Sequence, residues 1–155
     1  MEKNKKKARY ERIYKQLEQL FIKCKDPGAR MASICAVLHY KMESFFWTGF
    51  YLLQGDKLIV STYQGPLACM QLAKNQGVCW AGINNGEPVV VPDVEQFPGH
   101  IACDSRSKSE IVIPVRDPTG KIIGVLDIDS KVYNSFDKTD SDELLKIIDL
   151  IFIYD

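Results

Sequence analysis

What the chain lacks narrows its class first. No stretch approaches the roughly 18 apolar residues of a membrane-spanning helix. The N-terminus opens on Met1-Glu2-Lys3-Asn4-Lys5-Lys6-Lys7 instead of the apolar core of an export signal. Net charge is missing too: 20 Lys and Arg balance 20 Asp and Glu, so no global field draws the protein to nucleic acid or an anionic membrane. Repeats, low-complexity tracts and linkers are absent. These absences predict a cytoplasmic protein without nucleic-acid or membrane partners, and they leave small molecules as ligands.

Paired cysteines of the zinc-knuckle kind are also missing. The five cysteines, Cys24, Cys35, Cys69, Cys79 and Cys103, are an odd number in a chain without an export signal, which argues against a structural disulfide framework. Cys24 and Cys35 lie among helix-spaced apolar residues and read as packing. Of the two histidines, His100 sits near Cys103, but the separations of ten and twenty-four along Cys69, Cys79 and Cys103 do not form known zinc modules. His100 is as readily a loop histidine that orders the backbone as a chemical participant and is left off the catalytic residues, and no metal is expected.

What is present fits one compact domain over residues 1–155: 46% hydrophobic and 26% charged residues are enough for a single core. Nine Lys or Arg within the first 25 residues face only Glu2, Glu11 and Glu18. Without interleaved stacking aromatics, that excess reads as a solvated helix face and not a nucleic-acid arm.

Apolar spacing organises the rest. Tyr10, Ile13, Tyr14, Leu17, Leu20 and Phe21 predict an amphipathic helix from about 8 to 24, ended before Pro27, and Met31, Ile34, Cys35, Val37 and Leu38 predict a second. Strands are expected over 45–54 and 57–64 with a turn at Gly55-Asp56, a short helix over 77–85 closed by Gly86, and a short strand at 88–91. A polar loop follows from 92 to 108. Strands over 109–115 and 121–128, joined by Asp117-Pro118-Thr119-Gly120, lead to a helix from Asp137 to about Phe152. Helices at both ends of a meandering antiparallel sheet of about six strands predict an α+β domain of the GAF or PAS kind.

Candidate chemistry sits in two places. Cys69, Cys79 and Cys103 lie in loops or short elements, where catalytic groups concentrate. Residue types alone admit a redox relay, a zinc site with His100, or no chemical role. Asp127 and Asp129, two apart in a strand, share one face, while Ile122, Leu126 and Ile128 take the other. A solvated strand face is the ordinary outcome for two such aspartates. Against it, Trp47, Gly49 and Tyr51 share a face of an early strand, the small Gly49 leaving room between aromatic walls as in a ligand pocket.

Trp47-Thr-Gly-Phe-Tyr51, Ala68-Cys69, Gly77-Val-Cys79, Pro98-Gly-His-Ile-Ala-Cys103, Ser109-Glu110-Ile-Val and Gly124-Val-Leu-Asp127-Ile-Asp129-Ser130 together resemble the signature segments of the free methionine-R-sulfoxide reductases, which are GAF-type domains. The resemblance runs from about Trp47 to Phe136. It implies that Cys103 attacks the sulfoxide sulfur, that Cys69 is the main resolving cysteine and Cys79 an accessory thiol, and that Trp47, Tyr51, Glu110, Asp127 and Asp129 line the substrate site. It further implies free methionine-R-sulfoxide as substrate, thioredoxin as reductant and no cofactor. Trp80 departs from the pattern, which usually has glycine after the second cysteine. A homodimer is compatible with the resemblance, and the apolar stripe of the first helix would serve either a partner or the chain's own sheet.

The implied chemistry is physically consistent. A sulfoxide sulfur is a poor electrophile until its oxygen is protonated or hydrogen-bonded, and carboxylates sharing a site raise one another's pKa, so one of Glu110, Asp127 and Asp129 can hold that proton. The same charges disfavour a Cys103 thiolate, for which backbone amides of 99–103 or substrate binding are the candidate remedies. The loop from Pro98 to Ser105 is expected over the substrate. Rival readings are a GAF small-molecule-sensing module, which ordinarily serves an output domain, and a generic thiol redox sensor, which leaves the aromatic and carboxylate pocket unexplained.

Overall fold

The computed structural model describes residues 2–100 and 103–153; Ile101 and Ala102 of the Gly99-to-Cys103 run lie outside it. Two helices, α1 (Lys3–Phe21) and α2 (Pro27–Lys41), precede strands β1 (Trp47–Gln54), β2 (Lys57–Gln64) and β3 (Gln71–Leu72). Helix α3 (Gly77–Asn85) leads to β4 (Val89–Val91), then to β5 (Ser109–Arg116), β6 (Ile122–Ser130) and helix α4 (Lys138–Asp149). The strands form one sheet in the order β3-β2-β1-β6-β5-β4, with antiparallel neighbours throughout.

Both faces of this sheet are covered. Beneath it, Phe50, Ile111, Ile113, Leu126 and Ile128 meet Ile34 and Leu38 of α2 and Leu144, Ile147 and Ile148 of α4. Above it, Val112 and Val125 meet α3 through Val78, Cys79 and Trp80. A Cβ added at Gly82 would lie 2.6 Å from Val112 Cγ1, so α3 can approach β5 this closely only because that residue is glycine. Double coverage explains why β5 is buried from Ser109 to Val115 instead of alternating.

Local signals set the helix ends. Asp26 caps α2, its side chain accepting from Ala29 N–H at 2.8 Å with Pro27 in the first turn. Asp137 opens α4 with a reciprocal capping box to Asp140. Gly86 closes α3 in the left-handed conformation, φ 70°, as its position predicts.

The structure departs from the sequence reading in four places. Helix α1 starts at Lys3, because the basic run is not wholly solvated. Lys6 is buried, its Nζ 2.7 Å from Asp140 Oδ2, and Tyr10 donates its hydroxyl to Asp140 Oδ1 at 2.5 Å. Helix α1 ends at Phe21, which leaves Cys24 exposed beyond it, so Cys24 does not pack as Cys35 does. The stripe of Tyr10, Ile13, Leu17 and Phe21 lies against α4 and α2 of the same chain. Finally, β3 and the 3-10 turn at Val94–Gln96 interrupt stretches read as irregular, each too short to show a period. No described helix is long and apolar enough to cross a membrane.

Candidate active site

Register, more than residue type, builds the site. Strand β6 runs between β1 and β5, and its pairing makes two rows across the upper face. Trp47, Asp129 and Glu110 form one, and Gly49, Asp127 and Val112 the next. Residues directly opposite in antiparallel strands stand about 4.5–5.5 Å apart at Cβ. Glu110 therefore neighbours Asp129 directly and Asp127 diagonally. The expectation that Asp127 and Asp129 share a face opposite Leu126 and Ile128 holds, and that face is enclosed: Asp127 and Glu110 are buried and Asp129 half-buried.

The aromatic wall forms as Gly49 requires. A Cβ there would collide with Tyr63 and with the indole of Trp47, so only glycine lets that ring lie along the strand. Trp47 stacks on Tyr51 at 5.7 Å and on Tyr63 at 5.2 Å between centroids. Its Nε1–H donates to Pro66 O at 3.1 Å, and the Tyr51 hydroxyl donates to Cys69 O at 2.9 Å. The wall thus holds the backbone of the segment that carries Cys69.

A cavity of about 60 Å³, room for several waters, opens over these residues, lined by Trp47, Tyr51, Cys79, Glu110, Asp127 and Asp129 together with His100 and Cys103. Cys103 is disulfide-bonded to Cys69, with Cα atoms 5.6 Å apart, and Cys103 is the more exposed of the two. Cys79 is separate: a free thiol in the first turn of α3, buried at the cavity floor. Trp80, the departure from the family pattern, turns away from the cavity and donates its indole N–H to Leu72 O at 3.4 Å, so it is accommodated without displacing Cys79.

Electrostatics divide the carboxyls. Asp127 Oδ1 is buried without a hydrogen-bond partner, an arrangement that stands only if a neighbour brings a proton or a cation. Burial foremost, then the charges of Asp127 and Asp129, pushes Glu110 well above the ordinary 4.5, and the protonated carboxyl donates to Asp127. Burial raises Asp127 as well, and hydrogen bonds from Glu110 and from the Cys79 thiol offset part of that rise. Asp129 is raised by burial and by the charges of Asp127 and Asp104. Burial and the same carboxylates keep Cys79 a thiol.

Two lining residues, Asp104 and His100, were not among the site residues expected from the sequence. Asp104, next to Cys103, is held at about 2 by hydrogen bonds from Arg106, whose guanidinium also lies 4.8 Å from the Phe46 ring centroid. Asp104 is therefore ionised but already paired, which reduces its opposition to a Cys103 thiolate. The Asp104-Ser-Arg106 spacing is the turn pattern that finds it. His100, set aside by spacing, lines the cavity, and burial lowers its pKa and keeps the ring neutral. Among the described residues, the group of three potential metal ligands is Cys79, Glu110 and Asp127, not a set built on His100 and Cys103.

Comparison with known proteins meets this geometry from outside. Residues 31–151 match the GAF domain model. GAF domain-containing protein A of Dictyostelium discoideum is 43% identical over 96% of this chain and 94% of its own length. The free methionine-R-sulfoxide reductase of Escherichia coli is 43% identical over 74% of this chain and 68% of its own. The X-ray structure of the Neisseria meningitidis free methionine-R-sulfoxide reductase in complex with its substrate superposes with a TM-score of 0.89 at 40% identity, covering 94% of this chain and 87% of that one. On these matches the chain belongs to the free methionine-R-sulfoxide reductase family of GAF-domain proteins.

Proposed function

We propose that this protein reduces free L-methionine-R-sulfoxide to L-methionine, with Cys103 as nucleophile and Cys69 as resolving thiol. The observation that carries the reading is the Cys69–Cys103 disulfide on the wall of a cavity into which Glu110, Asp127 and Asp129 converge. The Cys103 sulfur attacks the sulfoxide sulfur while protonated Glu110 donates to its oxygen. Sulfur in the substrate is reduced by two electrons, Cys103 is oxidised to the sulfenic acid, and methionine leaves. Cys69 then displaces water from that sulfenic acid to give the disulfide, and thioredoxin opens it by exchange at the exposed edge, taking the oxidising equivalents away as its own disulfide.

Asp127 and Asp129 face the substrate ammonium, whose positive charge favours their ionised forms, and Trp47 and Tyr51 flank the thioether chain. Cys79, buried and held as a thiol, is a reserve for the resolving step. The cytoplasm supplies the reducing conditions this cycle needs, and a homodimer is compatible with it.

The test is an NADPH-coupled thioredoxin assay on separated sulfoxide epimers. The expected result is turnover of the R epimer alone, with Cys69→Ser releasing about one methionine per enzyme and then recycling poorly with thioredoxin. Substrate binding without turnover would make the protein a sensing module, and wild-type turnover in Cys103→Ser would remove the assigned nucleophile.

A further inference from the structure

The cavity floor holds a donor set that the reductase cycle does not fully use. Cys79 Sγ and one oxygen each of Glu110 and Asp127 lie within 4.8 Å of one another, and all three residues are buried. Independently, Asp127 Oδ1 has no hydrogen-bond partner although the residue is only 5% exposed. That oxygen is left over beside the bonds Asp127 takes from Glu110 and Cys79, and a buried acceptor without its own donor is a place a cation can fill. We propose that the reduced protein binds one thiophilic divalent cation of the zinc or cadmium class through Cys79, Glu110 and Asp127.

The donors choose the metal. A thiolate among two carboxylates suits borderline and soft ions, whereas calcium needs six to eight oxygens and magnesium an octahedral set rich in water. Three protein ligands leave a fourth position open to the cavity, where water completes a tetrahedron. To reach the roughly 2.0–2.3 Å ligand distances of zinc, the three donors must draw closer than their present span of up to 4.8 Å. Coordination sends the Cys79 thiol proton, and the proton that Glu110 shares with Asp127, to solvent. Each donor sits on a different element, α3, β5 and β6, and none is Cys69 or Cys103, so the site exists beside the redox pair.

One consequence rests on the substrate placement proposed above: the cation occupies carboxylates assigned to the sulfoxide and its ammonium group, so metal and substrate exclude each other. Zinc therefore acts as a reversible competitive inhibitor. Binding itself does not depend on that placement and is measured without turnover.

The experiment titrates Cd²⁺ into full-length reduced protein freed of reductant, reading the ultraviolet thiolate-to-metal charge-transfer band. Zn²⁺ is then used to displace it. The expected result is one cadmium per chain, a band abolished in Cys79→Ser, affinity at least about tenfold weaker in the isosteric Asp127→Asn, and a band intact in a Cys69→Ser/Cys103→Ser double variant. Native far-ultraviolet circular dichroism of Asp127→Asn separates lost ligation from lost folding. A band that survives Cys79→Ser but vanishes in the double variant would assign the metal to the redox cysteines and overturn the proposal. So would no saturable binding by the wild type. An active reductase that binds no metal disproves the cation site alone, while stoichiometric binding in a protein without turnover disproves the reductase reading alone.

Discussion

Along β6, Leu126 and Ile128 enter a core with Phe50, Ile111 and Leu144, while Asp127, between them in the chain, enters a cavity with Glu110 and Cys79. The lower face of the sheet is largely apolar where it meets α2 and α4, with Thr48 hydrogen-bonded to His39 of α2 as an exception, and each fully buried Leu or Ile there contributes about 1.5–3 kcal/mol. The upper face gathers carboxyls whose burial raises their pKa values, which costs stability wherever they must ionise. One sheet thus separates the two tasks by side-chain alternation alone: the lower face stabilises the fold, and the upper face spends part of that stability on chemistry.

The comparison is broken most severely at Cys103. Cys103→Ser should lower kcat by about 10³-fold or more while the thermal midpoint of the reduced protein stays near wild type, since the residue is exposed and serves no core. Retained turnover would shift the chemistry to Cys79.

The reverse pattern is expected one strand away. Leu126→Ala should cost about 2–5 kcal/mol in urea unfolding and leave kcat/KM within a few-fold at temperatures where the variant is folded. A large loss of kcat/KM with little loss of stability would mean that the two faces are not separate.

Glu110→Gln keeps the shape but removes the acid, and kcat/KM should fall by about 10²-fold. Its pH signature sharpens the comparison. The folded pKa of Glu110 lies well above its ordinary 4.5, so its contribution to stability is complete below that value and is lost as pH rises through the folded pKa. Wild-type unfolding free energy should therefore decline as pH climbs from about 4.5 up through the folded pKa of Glu110, and the decline should be shallower in Glu110→Gln. Parallel stability profiles for the two proteins would leave Glu110 without its raised pKa.

The smallest effect belongs to Cys24→Ser. Exposed beyond α1, Cys24 should change stability by no more than about 0.5 kcal/mol and leave turnover unaltered, whereas Cys35→Ser, in the core, should be clearly destabilising by urea titration.

The legibility of each face follows the same division. Alternation in Trp47, Gly49 and Tyr51 and in Asp127 and Asp129 was enough to predict which residues share a face, because side-chain direction in a strand is a local property. That this face is roofed was not legible, since α3 covers it through Gly82 packing on Val112, a long-range approach. Nor was the row that sets Glu110 beside Asp129, because register between β5 and β6 depends on pairing and not on either strand alone. The family signature supplied Glu110 where physics alone had no means to find it. Lys6 escaped for the opposite reason: a charge within a basic run looks solvated until Asp140, more than a hundred residues later, arrives to bury it.

The central claim is that the upper face recognises a free amino acid, its carboxylates outnumbering what sulfoxide reduction needs because they also hold an ammonium group. The direct measurement is the ratio of kcat/KM for free L-methionine-R-sulfoxide to that for its N-acetylated form, under one reductant. Acetylation removes the positive charge and leaves a buried carboxylate unmatched, so the ratio should reach about 10⁴ or more. Comparable values for the two substrates would contradict the claim and describe an open site indifferent to the amino group.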